Sequence, residues 1–507
     1  MAAVSVLGCT GRTGRRIVVA ALAGLWLLGL AGPAHAVDVP GYRTEGVRAL
    51  APGVEYRRLV RADGPVVAHV VAMRKDSGLA LRAVLSNDRV AGPAPVQERT
   101  SAMCQRVRCV AAINADFAFP SGEPIGAVVA GGQMFRSPVP SHHQLSVTPA
   151  GDLVAGTLGW SAQLVPSDLR PVPVQGVNVA RPAEALVLYT PAYGPSTATN
   201  DFGTELVLRM VEPVTSPRLG QTALVELVGF GPGKGNTSIP PGGLVLSGHG
   251  AGAAALADLW ARLQSGAVSR RGLLRVESTT PVAESVGGTP VLVHEGRRWV
   301  ADDGSNFVAG RHPRTIVGWN GAETLLVTVD GRQPGYSIGL SLPDAAELLR
   351  TLGATEAVNL DGGGSTTLAA GTTVLNRPSD RMVKRAGKQE IVHEPRPGDV
   401  VVGSVERPVA SGLAIVPAGA APLAPFDPLA NGVPFVLGDL ADAPYDADPA
   451  SVPGAGNFAL LDLGPSSSPS PGLVAVAAGL EVAMAQWLLI VVARRRRRSA
   501  IGQSGVE

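Results

Sequence analysis

The sequence predicts a folded body made mostly of strands, with few helices and one strand–helix–strand crossover. Apolar residues make up 45% of the 507 residues and charged residues only 17%, so disorder of the whole chain is excluded. The 63 glycines and 42 prolines are about a fifth of the chain, below the ~25–30% of low-complexity proteins. From about residue 40 to residue 402, short apolar runs alternate with turn residues, and helical periodicity is rare. We therefore expect one large domain there.

The first elements of this body are predicted from apolar runs and the turns between them. Residues 66–73 and 79–85 are strand-like, and the polar turn 75–78 between them predicts a hairpin. A short buried strand is expected at 110–114 and a helix at 251–264.

The crossover is predicted over residues 325–360. An apolar strand at 325–329 is followed by Ser341, a helix N-cap, by a helical stripe over 342–352 and by a second strand at 357–360. We expect the two strands to be parallel and joined by a right-handed connection. If they are neighbours ~4.8 Å apart, Asp330 and Asp361 at their carboxyl ends share one site.

The second of these aspartates opens a loop with little side-chain bulk. Gly362, Gly363 and Gly364 follow Asp361 and precede Ser365, so bare backbone amides are available to hold an anion. Because the loop contains no lysine, it is not a nucleotide P-loop. The alternative is that each Asp-Gly pair only makes a turn.

Further polar residues surround these segments. Asn114 and Asp116 follow the short buried strand, which is unusual for residues that only pack. Arginines flank the acidic and glycine-rich loops, and arginine binds phosphate through two parallel hydrogen bonds. They are Arg311, Arg314, Arg332 and Arg377. Each could instead be a surface or paired residue, but together they favour an anionic substrate.

Several motifs, taken in chain order, resemble those of the phosphodiester glycosidase family. They are Ile113-Asn114-Ala115-Asp116-Phe117 with Gly122, Pro124 and Gly126; Gly176-Val177-Asn178; Tyr189-Thr190-Pro191; Gly287-Gly288-Thr289-Pro290; Arg311-x-Pro313-Arg314-Thr315; Asp330-Gly331-Arg332-Gln333 with Ser337; Asn359-Leu360-Asp361-Gly362-Gly363-Gly364-Ser365; and Asn376-Arg377-Pro378. The resemblance covers about residues 105–395. The family includes a lysosomal enzyme that removes N-acetylglucosamine from its phosphodiester with mannose.

The resemblance implies an α+β domain with mixed β-sheets packed with helices, and hydrolysis of a sugar-1-phosphodiester at its glycosidic bond. We expect Asp361 to be the catalytic carboxylate, with Asp330 as its partner and Asp116 third. The separation of the carboxylates would decide between retention and inversion. The expected substrate-binding residues are Asn114, Arg311, Arg314, Thr315, Arg332, Gln333, Ser337, Asn359, Gly362, Gly363, Gly364, Ser365 and Arg377.

Four alternatives accompany this interpretation. No cofactor is required by it, but Asp116, Asp330 and Asp361 could instead hold a divalent cation, Ca²⁺ or Mg²⁺. His249 is a possible acid–base group, although an isolated loop histidine is more often structural. The chain could also be a non-catalytic glycan-binding surface protein on the same scaffold, or an envelope protein whose stalk and anchor are the functional parts.

The two ends of the chain predict export and anchoring. Residues 1–36 have the basic region, apolar region and Ala34-His35-Ala36 site of a signal peptide. A Pro/Ala/Asp-rich stalk is predicted at 403–471 and a transmembrane anchor at 472–493, with Glu481 inside the span. The arginines at 494–498, in the basic tail 494–507, place that tail in the cytoplasm and the body outside.

The charge and cysteine content limit the partners. The net charge is +2 and would be −3 without the arginines at 494–498, so a basic body that binds nucleic acid is not supported. Removal of the signal peptide would take Cys9 away and leave Cys104 and Cys109, which could form a disulfide in an oxidising compartment or remain free thiols. Their spacing alone does not predict a zinc site.

Overall fold

The computed structural model describes residues 39–419, apart from 92–96, 212–215, 386–387, 394 and 397. The predicted signal peptide, the anchor at 472–493, the tail at 494–507 and the stalk beyond residue 419 lie outside the described residues. Strands take up 46% of the described residues and helices 11%. The fold is therefore mostly β, with a few helices, rather than an even mixture of the two.

The described strands are short, and most have between two and nine residues. In chain order they are β1 (Arg43–Ala51), β2 (Val54–Arg61), β3 (Val66–Arg74), β4 (Leu79–Leu85), β5 (Glu98–Arg99), β6 (Ala111–Asn114), β7 (Val128–Ala130), β8 (Gln133–Arg136), β9 (Gln144–Val147), β10 (Leu153–Gly156), β11 (Trp160–Pro166), β12 (Val172–Val174), β13 (Gly176–Val177), β14 (Leu186–Tyr189), β15 (Thr204–Met210), β16 (Gln221–Pro232), β17 (Gly243–Gly248), β18 (Arg271–Ser278), β19 (Glu284–Gly287), β20 (Val291–His294), β21 (Arg297–Arg298), β22 (Arg314–Trp319), β23 (Glu323–Val329), β24 (Glu356–Asn359), β25 (Leu368–Ala370), β26 (Thr373–Val374), β27 (Arg381–Arg385), β28 (Lys388–Val392), β29 (Val400–Ser404), β30 (Pro408–Val409) and β31 (Ser411–Pro417).

Four α-helices are described: α1 (Thr100–Val107), α2 (Ala251–Gln264), α3 (Asn306–Ala309) and α4 (Leu342–Thr351). The predicted helix at 251–264 is α2. The predicted N-cap also forms, since the Ser341 hydroxyl accepts a hydrogen bond from the Asp344 N–H at the start of α4. Two 3-10 turns complete the set, at Ser86–Asp88 and Gly363–Ser365.

Four sheets contain most of the strands, and their order across each sheet is as follows. Sheet I is β1-β2-β3-β23-β22-β24-β20-β21, sheet II is β26-β25-β6-β31-β4, sheet III is β12-β11-β18-β16-β15-β17-β14-β13, and sheet IV is β10-β9-β19-β7-β8. Two smaller sheets are β28-β27-β29 and β30-β5. Sheet III is mixed, because β13 and β14 pair in parallel while the other strands of that sheet pair antiparallel.

Sheets I and II lie face to face and are covered by a helix on each outer side. Val71 and Leu326 of sheet I pack against Ile113 and Leu413 of sheet II in one apolar cluster. The other face of sheet I packs against α4, and the other face of sheet II packs against α1. Packing on both faces explains why the residues of β22 and β23 are buried almost without interruption rather than alternately.

The predicted hairpin of residues 66–73 and 79–85 is wrong, although both strands exist. β3 pairs with β2 and β23 in sheet I, whereas β4 pairs with β31 in sheet II. The short turn between them carries the chain from one layer to the next. Local turn residues indicate that the chain reverses, but the partner of each strand is decided by layer packing.

The predicted crossover also differs from expectation. β23 and β24 each pair antiparallel with β22, which lies between them, so they run in the same direction but are not neighbours. At ~4.8 Å per strand spacing, the ends that carry Asp330 and Asp361 are roughly 10 Å apart across the sheet. The two aspartates therefore do not meet in the way that direct pairing would require.

The body continues past the boundary predicted at residue 402. β30 pairs with β5, and β31 lies in the middle of sheet II between β6 and β4. The predicted stalk therefore contributes a central strand to the core. None of the helices among the described residues is long and apolar enough to cross a membrane.

Cys104 and Cys109 are joined by a disulfide at the end of α1. Both side chains are buried in the apolar cluster between α1 and sheet II. The Cys109 N–H also donates to the Cys104 carbonyl, and Arg108 between them has a left-handed backbone conformation. The disulfide thus closes the tight turn that leads from α1 into β6.

A buried carboxyl group links sheet II to sheet IV. Glu284 of β19 accepts hydrogen bonds of 3.0 Å from the Ala83 N–H of β4 and from the Gly131 N–H between β7 and β8. Burial outweighs these two bonds and raises the pKa of Glu284 to about 7. The folded protein therefore keeps this group protonated at pH values where the unfolded chain ionises it.

This burial predicts a loss of stability with rising pH. Below pH 4.5 both states bind the proton, and above it the folded state alone retains it until about pH 7. The free energy of unfolding should therefore fall by about 3 kcal/mol across this window relative to Glu284→Gln, which cannot ionise. Urea unfolding of both proteins from pH 4 to pH 8 measures this difference, with the exposed Glu347→Gln as control. A difference that stays constant with pH would contradict the prediction.

Candidate functional site

Asp361 is the least enclosed of the three predicted catalytic aspartates. The residue is partly exposed, whereas the side chains of Asp116 and Asp330 have no exposed surface. Its N–H donates to the Ala115 carbonyl, which fixes the end of β24 beside the segment that follows β6. The carboxyl group of Asp361 is itself buried, so the exposed part of the residue distinguishes it from the other two.

The surroundings of Asp361 give it an unusual acidity. Burial raises the pKa of this carboxyl to about 6, and the negative charge of Asp116 adds to the rise. A hydrogen bond from Ser365, the positive charge of Arg407 and the Gly362 N–H act in the opposite direction. The site therefore contains an acid that titrates near neutrality, as groups at functional sites often do.

The glycine loop after Asp361 is packed so closely that side chains would not fit. A Cβ on Gly362 would lie 2.6 Å from the Pro313 carbonyl oxygen, and one on Gly364 would lie 2.1 Å from the Arg407 guanidinium. Gly363 has a φ of +61°, and the Arg332 guanidinium lies 3.3 Å from its Cβ position. The glycines thus allow two arginines to approach the loop backbone.

Arg407 comes from the segment predicted to be stalk, and it is held by an acid and a histidine. Its Nε and one terminal nitrogen donate to the two oxygens of Asp380 at 2.8 and 3.0 Å. His393 Nδ1 lies 2.9 Å from Asp380 and 2.7 Å from Arg407. Burial raises the pKa of Asp380, but these bonds and charges outweigh it and lower that pKa. The ion pair fixes the orientation of the Arg407 guanidinium, whose positive charge also acts on Asp361.

Arg314 is a buried cation that donates hydrogen bonds to neutral carbonyl groups. It donates to the carbonyls of Leu340, Phe307 and Gly310, and its guanidinium lies 5.6 Å from the Phe307 ring centroid. Burial, together with the positive charge of Arg332, lowers the pKa of Arg314 to about 9. Two cations thus lie close enough to repel each other beside the glycine loop, and a bound anion would relieve this repulsion.

The side chain of Asn114 anchors the glycine loop to the neighbouring strands. Its Oδ1 accepts hydrogen bonds from the Thr315 hydroxyl at 2.8 Å and the Thr367 N–H at 3.0 Å, and its Nδ2 donates to the Asp361 carbonyl at 2.7 Å. Asn114 and Thr315 were predicted to bind substrate. In the structure, the hydrogen bonds of these two side chains position the backbone around Asp361.

Asp116 lies beside Asp361 and is enclosed by two glycines and a histidine. Its Oδ2 accepts a 2.5 Å hydrogen bond from the Gly126 N–H, and its Oδ1 lies 3.1 Å from Nε2 of His142. A Cβ on Gly287 would lie 2.2 Å from Oδ1, so only glycine leaves room for the carboxylate there. The structure therefore pairs Asp361 with Asp116 rather than with Asp330.

Asp330 is surrounded by donors instead. His69 Nε2 lies 3.0 Å from its Oδ2, and it accepts bonds from the Tyr336 hydroxyl, the Asn376 side chain and the Arg377 N–H. His69 is in turn 2.8 Å from the Tyr56 hydroxyl. This buried network ties β3 and β23 to the segment after β26, which suits a structural role.

The remaining predicted site residues are distributed around the same edge. Arg311 is exposed and pairs with Asp344 at 3.3 Å, and the Arg377 guanidinium lies 4.9 Å from the Tyr336 ring centroid. The other three are buried: Ser337 binds the Asp330 backbone, Gln333 donates to the Arg377 carbonyl, and Asn359 donates to the Thr289 carbonyl. The Oδ1 of Asn359 has no hydrogen-bond partner among the described residues.

The structure bears on two of the alternatives considered from the sequence, the role of His249 and the cation site. His249 ends the turn after β17 in sheet III, and its N–H donates to the Ala185 carbonyl. Within the part of the chain that the structure describes, no group of three His, Cys, Asp or Glu side chains has the arrangement of a metal site. The carboxylates proposed as cation ligands are thus not gathered into one such group.

Sequence reasoning missed His142, Asp380, His393 and Arg407. His142-His143 is a pair of adjacent histidines after the short segment Pro138-Val139-Pro140, and that pair was an available signal. The other three carry no spacing pattern that sets them apart. They meet only because the chain returns to sheet II after β29.

Comparison with known proteins agrees with these motifs. The sequence model of the family "Phosphodiester glycosidase" matches residues 229–416, a range that includes the glycine loop and Arg407. No curated protein matches the chain.

Three solved structures resemble the fold. A hypothetical protein from Synechocystis is 20% identical with a TM-score of 0.52, and the match covers 74% of this chain and 68% of the other. A candidate exported protein from Burkholderia pseudomallei K96243 is 20% identical with a TM-score of 0.53, covering 75% and 99%. The catalytic domain of zebrafish N-acetylglucosamine-1-phosphodiester alpha-N-acetylglucosaminidase, auto-inhibited by its pro-peptide, is 14% identical with a TM-score of 0.37, covering 74% and 88%.

The similarity to the Synechocystis and Burkholderia structures shows a shared fold. The family match extends the similarity to the sequence of the glycine loop and its arginines. Over residues 229–416, the chain is similar to the phosphodiester glycosidase family, whose sequence model matches there.

Proposed function

We propose that this protein hydrolyses a sugar-1-phosphodiester at the glycosidic bond, in envelope or extracellular glycans. The family supports glycosidase chemistry, and the predicted signal peptide and anchor support an exported enzyme that is held at the cell membrane with its body outside. The substrate is then a phosphate-linked carbohydrate. No nucleic-acid partner is part of this proposal.

The observation that carries the proposal is an acid of raised pKa beside a glycine loop that two arginines approach. Asp361 is a partly exposed residue, while Arg332 and Arg407 approach the loop that follows it and Arg314 is buried close to Arg332. An anionic group at this loop would meet positive charge in a setting of reduced dielectric. A neutral sugar attached to it would be directed to Asp361.

The chemistry follows from the leaving group. A phosphate ester is a far weaker base than a sugar alkoxide, so it leaves as an anion with little need of a proton. The arginines stabilise the negative charge that develops on it. The remaining requirement is a carboxylate that acts at the anomeric carbon, and Asp361 is ionised above about pH 6.

The first test removes this carboxylate. Asp361→Asn in the full-length chain should lower turnover of sugar-1-phosphodiesters by about 10²–10⁴-fold, because the amide can neither attack carbon nor accept a proton. The exposed Asp63→Asn is the matched control and should keep full activity. A screen with teichoic-acid-like and capsule-like polymers, read by release of reducing sugar, measures the effect.

The same screen decides between enzyme and binding protein. A non-catalytic glycan-binding protein would retain polymer and release no sugar, with or without the Asp361 carboxylate. Undiminished turnover by a correctly folded Asp361→Asn protein, judged by its thermal unfolding, would remove Asp361 from the mechanism.

The second test uses pH. Because the ionised carboxylate is the active form, kcat/KM should fall as the pH drops through about 6. Ser365 stabilises that form by a hydrogen bond, so Ser365→Ala should raise the pKa of Asp361 and move the acidic limb to higher pH. Ser365→Thr keeps a hydroxyl and should leave the limb near its wild-type position. A limb that stays fixed in Ser365→Ala would show that another group controls it.

A further inference from the structure

His142 is held by Asp116 in one orientation at the edge of the site. The Asp116 side chain is completely enclosed, and its Oδ2 is already occupied by the Gly126 N–H. Its Oδ1 lies 3.1 Å from His142 Nε2. A buried carboxylate needs donors on both oxygens, so Nε2 carries a proton and Nδ1 of a neutral ring keeps its lone pair.

The backbone around His142 reinforces this orientation. The His142 N–H donates to the Val139 carbonyl, and its own carbonyl accepts from the Gln144 side chain, which also receives the Ala127 N–H. The ring is 12% exposed, and the structure gives Nδ1 no hydrogen bond to a described residue. Nδ1 therefore belongs to a ring that is not fully enclosed, and no described residue occupies its lone pair.

His142 and Asp361 are both linked to the same carboxylate. Asp116 contacts the histidine directly, and its charge acts on Asp361, whose N–H binds the carbonyl of Ala115, the residue before Asp116. Asp116 itself cannot touch a substrate because its side chain has no exposed surface. A histidine and the Asp361 carboxyl group are thus both coupled to a third group that is sealed from solvent.

We propose that His142 is a further catalytic residue of this site, the base that takes the proton of the attacking water, with Asp116 as its positioning residue. This inference rests on the proposed function. Asp361 first attacks the anomeric carbon, a glycosyl ester forms, and the phosphate ester leaves with the bonding electron pair. Water then attacks that carbon while Nδ1 of His142 accepts its proton, and Asp361 leaves as a carboxylate. The imidazolium returns its proton to solvent, so the net reaction is hydrolysis.

A matched pair of variants separates catalysis from structure. Gln at position 142 can still donate a hydrogen bond to Asp116 but has no basic nitrogen, whereas Ala has neither. If the role of His142 is only to satisfy Asp116, His142→Gln should behave like the wild type and His142→Ala should not. If His142 is the base, both variants should fail at the same step.

The kinetic experiment uses the full chain and a sugar-1-(4-nitrophenyl phosphate) diester, with both products measured by rapid quench. His142→Gln should release one equivalent of phosphate ester per site at nearly the wild-type rate and then slow by about 10²–10⁴-fold, because the glycosyl ester accumulates. Azide needs no base and should restore turnover, with glycosyl azide as the product. Wild-type steady-state turnover by His142→Gln, or loss of the burst without rescue by azide, would overturn the inference.

A second measurement does not depend on any substrate. Nitrogen-15 NMR of the histidine rings should show His142 as the neutral tautomer protonated at Nε2, and Asp116→Asn should change that signal. A ring protonated at Nδ1 alone would overturn the inference whatever the activity. If the wild type cleaves no sugar phosphodiester, the proposed function and this role both fail; if it does and His142→Gln is unimpaired, only the role of His142 fails.

Discussion

The candidate site depends on one buried carboxamide, that of Asn114. Its three hydrogen bonds reach Thr315, Asp361 and Thr367, which are between 201 and 253 residues away in the sequence. They join β6 of sheet II, β22 of sheet I and the loop after β24. Each bond is made away from water, where an unmet donor or acceptor costs about 1–3 kcal/mol. Asp361 is therefore positioned by the packing of two sheets. The glycine loop does not need side chains of its own to hold Asp361 in place.

Burial divides the three aspartates into different roles. Asp330 is enclosed by four donors and Asp116 by two, whereas Asp361 is the one of the three residues that is partly exposed. A sealed carboxylate can orient a neighbour or tie strands together, but it cannot meet a substrate. The sequence alone makes the three aspartates look equivalent, because each follows a buried strand. They differ in the structure because the surrounding loops give each carboxylate a different set of hydrogen-bond donors.

The sequence predicted local features of this fold well and long-range pairings poorly. The Ser341 cap and helix α2 follow from nearby residues, and the structure has both. The partners of β3 and β4, and the strand between β23 and β24, follow from the packing of whole sheets, and the expectations there were wrong. Arg407 was assigned to a stalk because its neighbours are proline, alanine and aspartate. Its place in the site depends on β31 entering the middle of sheet II, which local composition does not indicate.

Under the proposed function, the charges around the glycine loop would act on a departing anion. Arg314 and Arg332 repel each other next to the loop, and Arg407, which is paired with Asp380, also acts on Asp361 through its charge. A phosphate at the loop would gain negative charge as it separated from a sugar, while the carboxylates of Asp116 and Asp361 would favour the positive charge that develops on the anomeric carbon. An interaction that grows as the bond breaks lowers the barrier, whereas one that is equally strong before the reaction only tightens binding. The proposed hydrolysis would therefore draw more on these charges than the binding of an intact, neutral glycan would.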